Sequence, residues 1–289
     1  MPDRRLERGP AEADDGRSPA TFSSDELYGE LWADESSALD VELDRSLEPR
    51  GTMMLYDELA RLGVGAESVV LDAGARDAAH AVEIVRRLGC RVIAVDPVPL
   101  HVERARERVA EAELDGLIDV VQAGIESLPL ADSSIDAVWC RDVLNHVPPG
   151  SGLRELARVL SPGGSVLVYQ TFAEQACEPE EARRLFAGAA SLAESMSAPF
   201  FETAAAEAGF DVVSREQLHG EWRERMLEDG TWDVSADLLA LSRLHRRERE
   251  LVERYGHARV EAMRSGRLWG VYQLLGKTCP TIYVLRLRL

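Results

Sequence analysis

The residues whose types and spacing could do chemistry start in V-L-D-A-G-A-R-D-A-A-H, Val70 to His80. Asp72 lies two positions before Gly74, and Asp96 follows 24 positions after Asp72. A glycine where a strand turns into a helix lets backbone N–H groups approach a ligand at low steric cost. A carboxylate at the end of the next strand can accept both hydroxyls of a ribose, as in dinucleotide folds. Together they point to an adenosine-type cofactor; alone, a glycine and an acidic strand end also arise for structural reasons. Arg76 and Ala78 stand where such turns usually have glycines. Either Arg76 pairs with a ligand carboxylate, or it points to solvent or pairs with Asp77 at a helix start. His146, in L-N-H-V, is placed to serve as a base near neutral pH or to cap a short helix.

Those residues need elements to position them, and the hydrophobic pattern supplies them. Short apolar runs at Val69–Asp72, Val92–Val95, Val120–Val121, Ile135–Trp139 and Ser165–Tyr169 alternate with helical patterns ending at Leu88 and spanning Pro99–Ala112 and Leu153–Leu160. Strands separated by helices of 10–15 residues imply βαβ units, hence an α/β fold with a mostly parallel, doubly wound sheet. Helices follow at Pro179–Ala187 and Pro199–Ala208, then a strand at Asp211–Glu216 and a helical stretch from 220 to about 275. Within it, R-L-H-R-R-E-R-E-L-V-E-R suits a solvated helix face, with a partner surface as the alternative. The chain closes on T-I-Y-V-L-R-L-R-L, whose apolar/polar alternation reads as a last strand. Before the first strand, S-D-E-L-Y-G-E-L-W and Gly51–Leu62 read as amphipathic helices.

Composition narrows the classes of function. The chain has 289 residues, a 45% hydrophobic share and a formal net charge of −18, which disfavours nucleic acid and anionic membrane surfaces as partners. There is no run of eighteen apolar residues and no apolar leader, so a cytoplasmic location is expected. Cys90, Cys140, Cys177 and Cys279 are scattered, which suits reduced thiols rather than a disulfide frame or zinc site. No metal-ligand spacing is apparent, so no metal is expected.

From about Val69 to Glu216 the chain resembles a class I S-adenosylmethionine-dependent methyltransferase of the small-molecule type, similar to the quinone-biosynthesis methyltransferases. Four blocks carry the resemblance: V-L-D-A-G-A-R-D-A, R-V-I-A-V-D-P, I-E-S-L-P-L-A-D-S-S-I-D-A-V-W-C-R-D-V-L-N-H-V and R-E-L-A-R-V-L-S-P-G-G-S-V-L-V. The last two are the specific ones. The resemblance implies a Rossmann-like, doubly wound seven-stranded sheet with its last strand antiparallel, N-terminal helices, and a helical cap inserted before the last strand. The corresponding divisions are 1–22, a disordered tail; 23–64, N-terminal lid helices; 65–218, the cofactor-binding core; 219–278, the cap; and 279–289, the last strand.

The resemblance also assigns roles. Asp72, Gly74 and Ala75 would line the methionine half of S-adenosylmethionine, Asp96 would hold the ribose, Pro97 would pack on adenine and Ile125 would meet its edge. Cys140 would pass near the sulfonium, with Arg141 beside it. Gly124 stands where many relatives have an acid, a task left to the Ile125 backbone or to Glu126. Tyr28 and Trp32 would form a lid over the cofactor or simply pack onto the domain. His146 and Glu221 are the catalytic candidates, with Trp222, Trp269, Tyr272 and Gln273 as cap residues that face either pocket or core. The implied reaction is methyl transfer to an oxygen, nitrogen or carbon of a small metabolite. The rivals are a non-methylating reaction on the same fold, an NAD-dependent oxidoreductase and a non-catalytic binding protein. Oligomeric state is left open, a homodimer included.

Overall fold

The computed structural model describes residues 23–26, 28–29 and 38–289. They fall into two compact units, Met1–Leu47 and Glu48–Leu289. The first unit contributes the short helices α1 (Ser24–Glu26) and α2 (Ala38–Leu43). Tyr28 is 67% exposed there. Leu27, Leu31 and Trp32 of the expected lid helix lie outside the described residues, as does the tail 1–22.

The second unit is built on alternating strands and helices: α3 (Met54–Arg61), β1 (Val69–Ala73), α4 (Ala79–Leu88), β2 (Arg91–Asp96), α5 (Pro99–Glu111), β3 (Ile118–Gln122), β4 (Ile135–Arg141), α6 (Pro149–Val159) and β5 (Leu160–Ala173). There follow α7 (Pro179–Gly188), α8 (Ala198–Glu207), β6 (Phe210–Gln217), α9 (Glu221–Glu228), α10 (Val234–Arg246), α11 (Glu248–Tyr255), α12 (His257–Leu274) and β7 (Thr278–Leu287). The seven strands form one sheet in the order β3-β2-β1-β4-β5-β7-β6. All pairings are parallel except those of β7, which runs antiparallel to both β5 and β6. The strand order reverses between β1 and β4, so the loops leaving their carboxyl ends diverge and open a crevice there.

The period of two along each strand sorts the core into two layers. Ala137 and Trp139 of β4, Leu167 and Tyr169 of β5, and Ile282 and Val284 of β7 join α3 and α4 on one face. Val138 and Cys140, Val166 and Val168, and Tyr283 and Leu285 join α6 and α8 on the other. Among the described residues no helix is long and apolar enough to cross a membrane.

Three local features differ from the sequence expectation. The terminal strand β7, expected from its apolar/polar alternation to be buried on one face, is buried on both from Thr278 to Leu285, because core residues pack on each side of the sheet there. The segment S-P-G-G, expected as a turn before the fifth strand, is part of β5. It forms an irregularity in the pairing with β4, with Gly163 at φ +77°. Helix α3 packs with the sheet, through Leu55, Tyr56 and Leu59. The arginine/glutamate stretch breaks between α10 and α11 at Arg247, and its exposed pairs Arg247–Glu250 and Arg249–Glu253 give it a solvated face.

Candidate active site

The crevice at the reversal point is a cavity of about 760 Å³ lined by the loops after β1, β2, β3 and β4. It brings together Asp72, Gly74, Ala75, Arg76, Asp96, Pro97, Gly124, Ile125, Glu126, Arg141 and His146 from separate stretches of sequence.

The loop after β1 is the tightest part. Gly74 sits at φ +74°, and a Cβ there would come within 2.3 Å of Val143 Cγ2. The Gly74 and Ala75 amides both donate to the Val95 carbonyl, at 2.8 and 2.9 Å, which ties the turn to β2. Arg76 and Ala78 occupy left-handed backbone at φ +54° and +58°. The glycine-type path of the loop therefore survives without its glycines, at about 1–2 kcal/mol of strain per residue. Asp77 is taken by Arg108, whose Nη2 lies 2.6 Å from the carboxylate. That removes the Arg76–Asp77 pair from consideration and leaves Arg76 exposed on the cavity rim.

Asp96 is 7% exposed. It accepts the Arg76 amide on Oδ2 at 2.9 Å, and on Oδ1 the Val98 amide at 2.9 Å and His101 Nδ1 at 3.0 Å. It thus ties the first and second β–α loops together, with one of its roughly four lone-pair sites still open on Oδ2. At Gly124 a Cβ would meet nothing within 4 Å, so the glycine leaves open space rather than relieving a clash. Glu126 beside it is exposed and accepts from the Ser151 hydroxyl at 3.1 Å.

Two buried carboxyls face the cavity. Asp72 is 1% exposed, and its Oδ2 has no hydrogen-bond partner. Burial raises its pKa to about 7 despite a backbone donor from Ala81. Asp142, which spacing alone did not single out, also has an unpartnered Oδ1 and is raised by burial to about 6. It sits at φ +52°, immediately beyond β4. His80 is a further addition: burial lowers it to about 4, so the ring is neutral. Arg141 Nη1 donates to its Nε2 at 2.8 Å, which leaves the Nδ1 hydrogen for Tyr56 Oη at 2.7 Å. Tyr56 in turn stacks on Trp139, with ring centroids 4.9 Å apart.

His146 lines the cavity and is exposed. Its Nδ1 is 3.0 Å from the Ala190 carbonyl, an acceptor only, so the proton sits on Nδ1 and the Nε2 lone pair is free to take another.

Two sequence expectations are corrected here. Cys140 does not reach the cavity. On a strand, Trp139 and Arg141 share one face and Cys140 the other, where it is 1% exposed against Leu144 and Leu71 and pushed up to about 12 by burial. Glu221 is not a free acid at the site, because Arg50 grips it with Nε and Nη2, both at 2.7 Å, and with its backbone amide at 2.8 Å. Tyr28 belongs to the N-terminal unit and is exposed there. Trp222 is a docking residue: it stacks on Tyr169 at 4.7 Å with a 3° interplanar angle. Trp269 meets Phe186 edge-on and Tyr272 reaches Glu181, whereas Gln273 accepts from Arg223 Nε at 2.7 Å.

A methyltransferase-domain family model matches residues 71–168. The chain is 29% identical over 251 residues to a sarcosine/dimethylglycine N-methyltransferase of Halorhodospira halochloris, covering 84% of each. It is 32% identical over 147 residues to the 27-O-demethylrifamycin SV methyltransferase of Amycolatopsis mediterranei, covering 48% of this chain and about half, 51%, of that one. Among solved structures, a putative sarcosine dimethylglycine methyltransferase from Galdieria sulphuraria superposes with a TM-score of 0.62. It is 22% identical and covers 81% of this chain and 84% of that one. These likenesses do not favour the oxidoreductase or the non-methylating alternative. The sheet with its antiparallel β7, the matched domain at residues 71–168 and the similarity over most of the chain to a known N-methyltransferase together support a class I S-adenosylmethionine-dependent methyltransferase.

Proposed function

We propose that the 760 Å³ cavity holds S-adenosylmethionine and that the protein moves its methyl group to a nitrogen or oxygen of a small molecule approaching from the Asp142–His146 side. The observation that carries this reading is the unpartnered Oδ2 of Asp72, buried at the cavity wall. A buried anionic acceptor without a donor is costly, and the ammonium of the cofactor's amino-acid end is a donor of the right charge. The rest of the lining fits the same group. Asp96 has an open lone pair for a ribose hydroxyl, Pro97 and Ile125 offer apolar surface to a base, and Arg76 offers a guanidinium to a carboxylate at the rim.

When bound, the cofactor supplies an electrophilic methyl group on a sulfonium. The chain's own residues position, desolvate and move a proton. Asp142 Oδ1 accepts the hydrogen of the incoming nucleophile and orients its lone pair. The His146 Nε2 takes the proton released as the new bond to carbon forms and passes it to solvent, where its ring is exposed. Residues 219–278, docked on the sheet through Trp222, cover the acceptor side. The N-methyltransferase from Halorhodospira, whose name gives amine acceptors, favours nitrogen as the atom methylated.

Calorimetric titration with S-adenosylhomocysteine tests the cavity assignment, with NADH as the negative control. Asp96→Ala is expected to abolish measurable binding. Because Asp96 also ties two loops, the variant should lose about 1–3 kcal/mol of stability as well. Wild-type affinity in a folded Asp96→Ala protein would sink the assignment. Arg76→Gly separates the two remaining roles of Arg76. Glycine suits the left-handed backbone, so the fold should not suffer. If Arg76 grips the carboxylate, affinity for S-adenosylhomocysteine drops about 10–100-fold, while that for 5′-methylthioadenosine, which lacks the amino-acid end, is unchanged. Equal effects on both ligands would leave Arg76 as a solvent-facing residue.

A further inference from the structure

Between the carboxyl ends of β4 and β5 and the helices α9 and α12 lies a group of polar side chains that the cofactor reading leaves unused. On the α9 and α12 side there are donors without acceptors. Arg223 gives Nε to Gln273 Oε1 at 2.7 Å, faces the sulfur of Met226 at 3.6 Å, and stands over the Trp232 ring at 5.2 Å. Burial lowers its pKa, with Asp142 and Tyr169 offsetting part of that effect. Arg141 gives one hydrogen bond to neutral His80 and otherwise lies over Tyr169 and Trp222, at 5.3 and 5.8 Å. Gln273 Nε2 and Trp139 Nε1 are buried donors with no acceptor. Among the described residues no carboxylate pairs with Arg141 or Arg223. This is not for want of acids, since the chain has 51 acidic residues against 33 basic ones.

Beside these donors stand side-chain oxygens left without partners. Asp142 Oδ1 and Thr171 Oγ1 are buried without partners, and Asp142 lies within the positive fields of Arg141, His146 and Arg223. A molecule that satisfied both sides would present an anion to the guanidiniums and a hydrogen-bearing nucleophile to Asp142. A guanidinium is a planar fork of donors that matches a carboxylate in two contacts at once.

We propose that the acceptor is a small amino- or hydroxy-carboxylate, with Arg223 and Arg141 holding its carboxylate and Asp142 Oδ1 holding its nucleophilic end. This rests on the cavity being the methyl-transfer site. It assigns Arg223, on a helix outside the matched methyltransferase domain, the choice of substrate class.

The test uses the full chain with acetate as the probe, titrated with and without saturating S-adenosylhomocysteine. Binding is read from tryptophan fluorescence, since Trp139, Trp222 and Trp232 surround the two arginines. Wild-type protein should show a saturable change with acetate and none with methylammonium at equal ionic strength. Arg223→Gln should weaken acetate at least tenfold while S-adenosylhomocysteine affinity stays within twofold. Arg223→Lys, which keeps the charge but not the fork, should fall between them and guards against a folding defect in the glutamine variant. Acetate that fails to bind wild type, or binds Arg223→Gln as tightly, would overturn the proposal, as would an equal response to methylammonium. If S-adenosylhomocysteine failed to bind while acetate still depended on Arg223, the cofactor reading would fall and the carboxylate site would stand.

Discussion

Gly74→Ala should remove cofactor binding and lower stability by roughly 2–4 kcal/mol, the sum of left-handed backbone strain and overpacking. The added methyl would sit 2.3 Å from Val143 Cγ2 and 3.3 Å from its Cβ, at φ +74°. The loop cannot yield easily. Its neighbouring amides are fixed to the Val95 carbonyl, and the Arg76 amide is fixed to Asp96. Val143 also lines the cavity, so any displacement that relieves the clash moves the cavity wall. The cause can be isolated by a double variant. Gly74→Ala with Val143→Ala takes away the methyl that is struck but not the backbone strain. It should recover roughly 1–2 kcal/mol in urea unfolding, a coupling expected only of residues in contact. Strict additivity of the two single effects would show that the clash is not the source. Near-native binding by Gly74→Ala would remove this loop from the cofactor site.

The same loop shows what the sequence could and could not reveal. Asp72, Gly74 and Asp96 were singled out because strand and helix periods locate where the chain crosses the carboxyl edge of the sheet, whereas Gly124 and Ile125 came only from the family resemblance; all five line the crevice. Cys140, which the family resemblance put beside the sulfonium, was off by a single position: the face a strand residue takes depends on register, which the block of apolar residues around it does not reveal. Glu221 looked like a free acid because nothing local marks its partner. Arg50 lies 171 residues earlier and reaches it only in the folded chain. Asp142 stands one residue beyond Arg141 and drew no attention, since its interest comes from burial and an unpartnered oxygen rather than from a pattern. Arg76 and Ala78 looked like losses of a glycine motif, yet the backbone keeps the left-handed conformation the motif requires. Residue identity at such a turn reports the strain a chain tolerates, not whether the turn is made.

Asp72→Asn should have two effects of opposite sign, which makes it the sharper probe of the site. In the native protein Asp72 keeps its proton up to about pH 7, whereas the unfolded chain releases it near 3.8. Between those values the native state binds more protons, so unfolding free energy falls as pH rises. Above pH 7 the full cost of an ionised, buried Asp72 is present, about 4 kcal/mol as an upper bound. Asparagine carries no charge to desolvate. The ligand-free variant should therefore equal wild type near pH 4 and exceed it by roughly 1–4 kcal/mol at pH 8. Binding should move the other way. With no anion for the ligand's ammonium, affinity for S-adenosylhomocysteine should fall about 100-fold or more at pH 8. Wild-type affinity should weaken as pH drops below 7, approaching tenfold per pH unit, because a proton then competes for the carboxylate. The variant's weaker binding should lack that dependence. Urea unfolding and calorimetric titration across pH 5–8 read both effects. Asp72→Asn less stable than wild type at pH 8, or binding within threefold of it, would show that Asp72 is a structural carboxyl and not the anchor of the cofactor's cationic end.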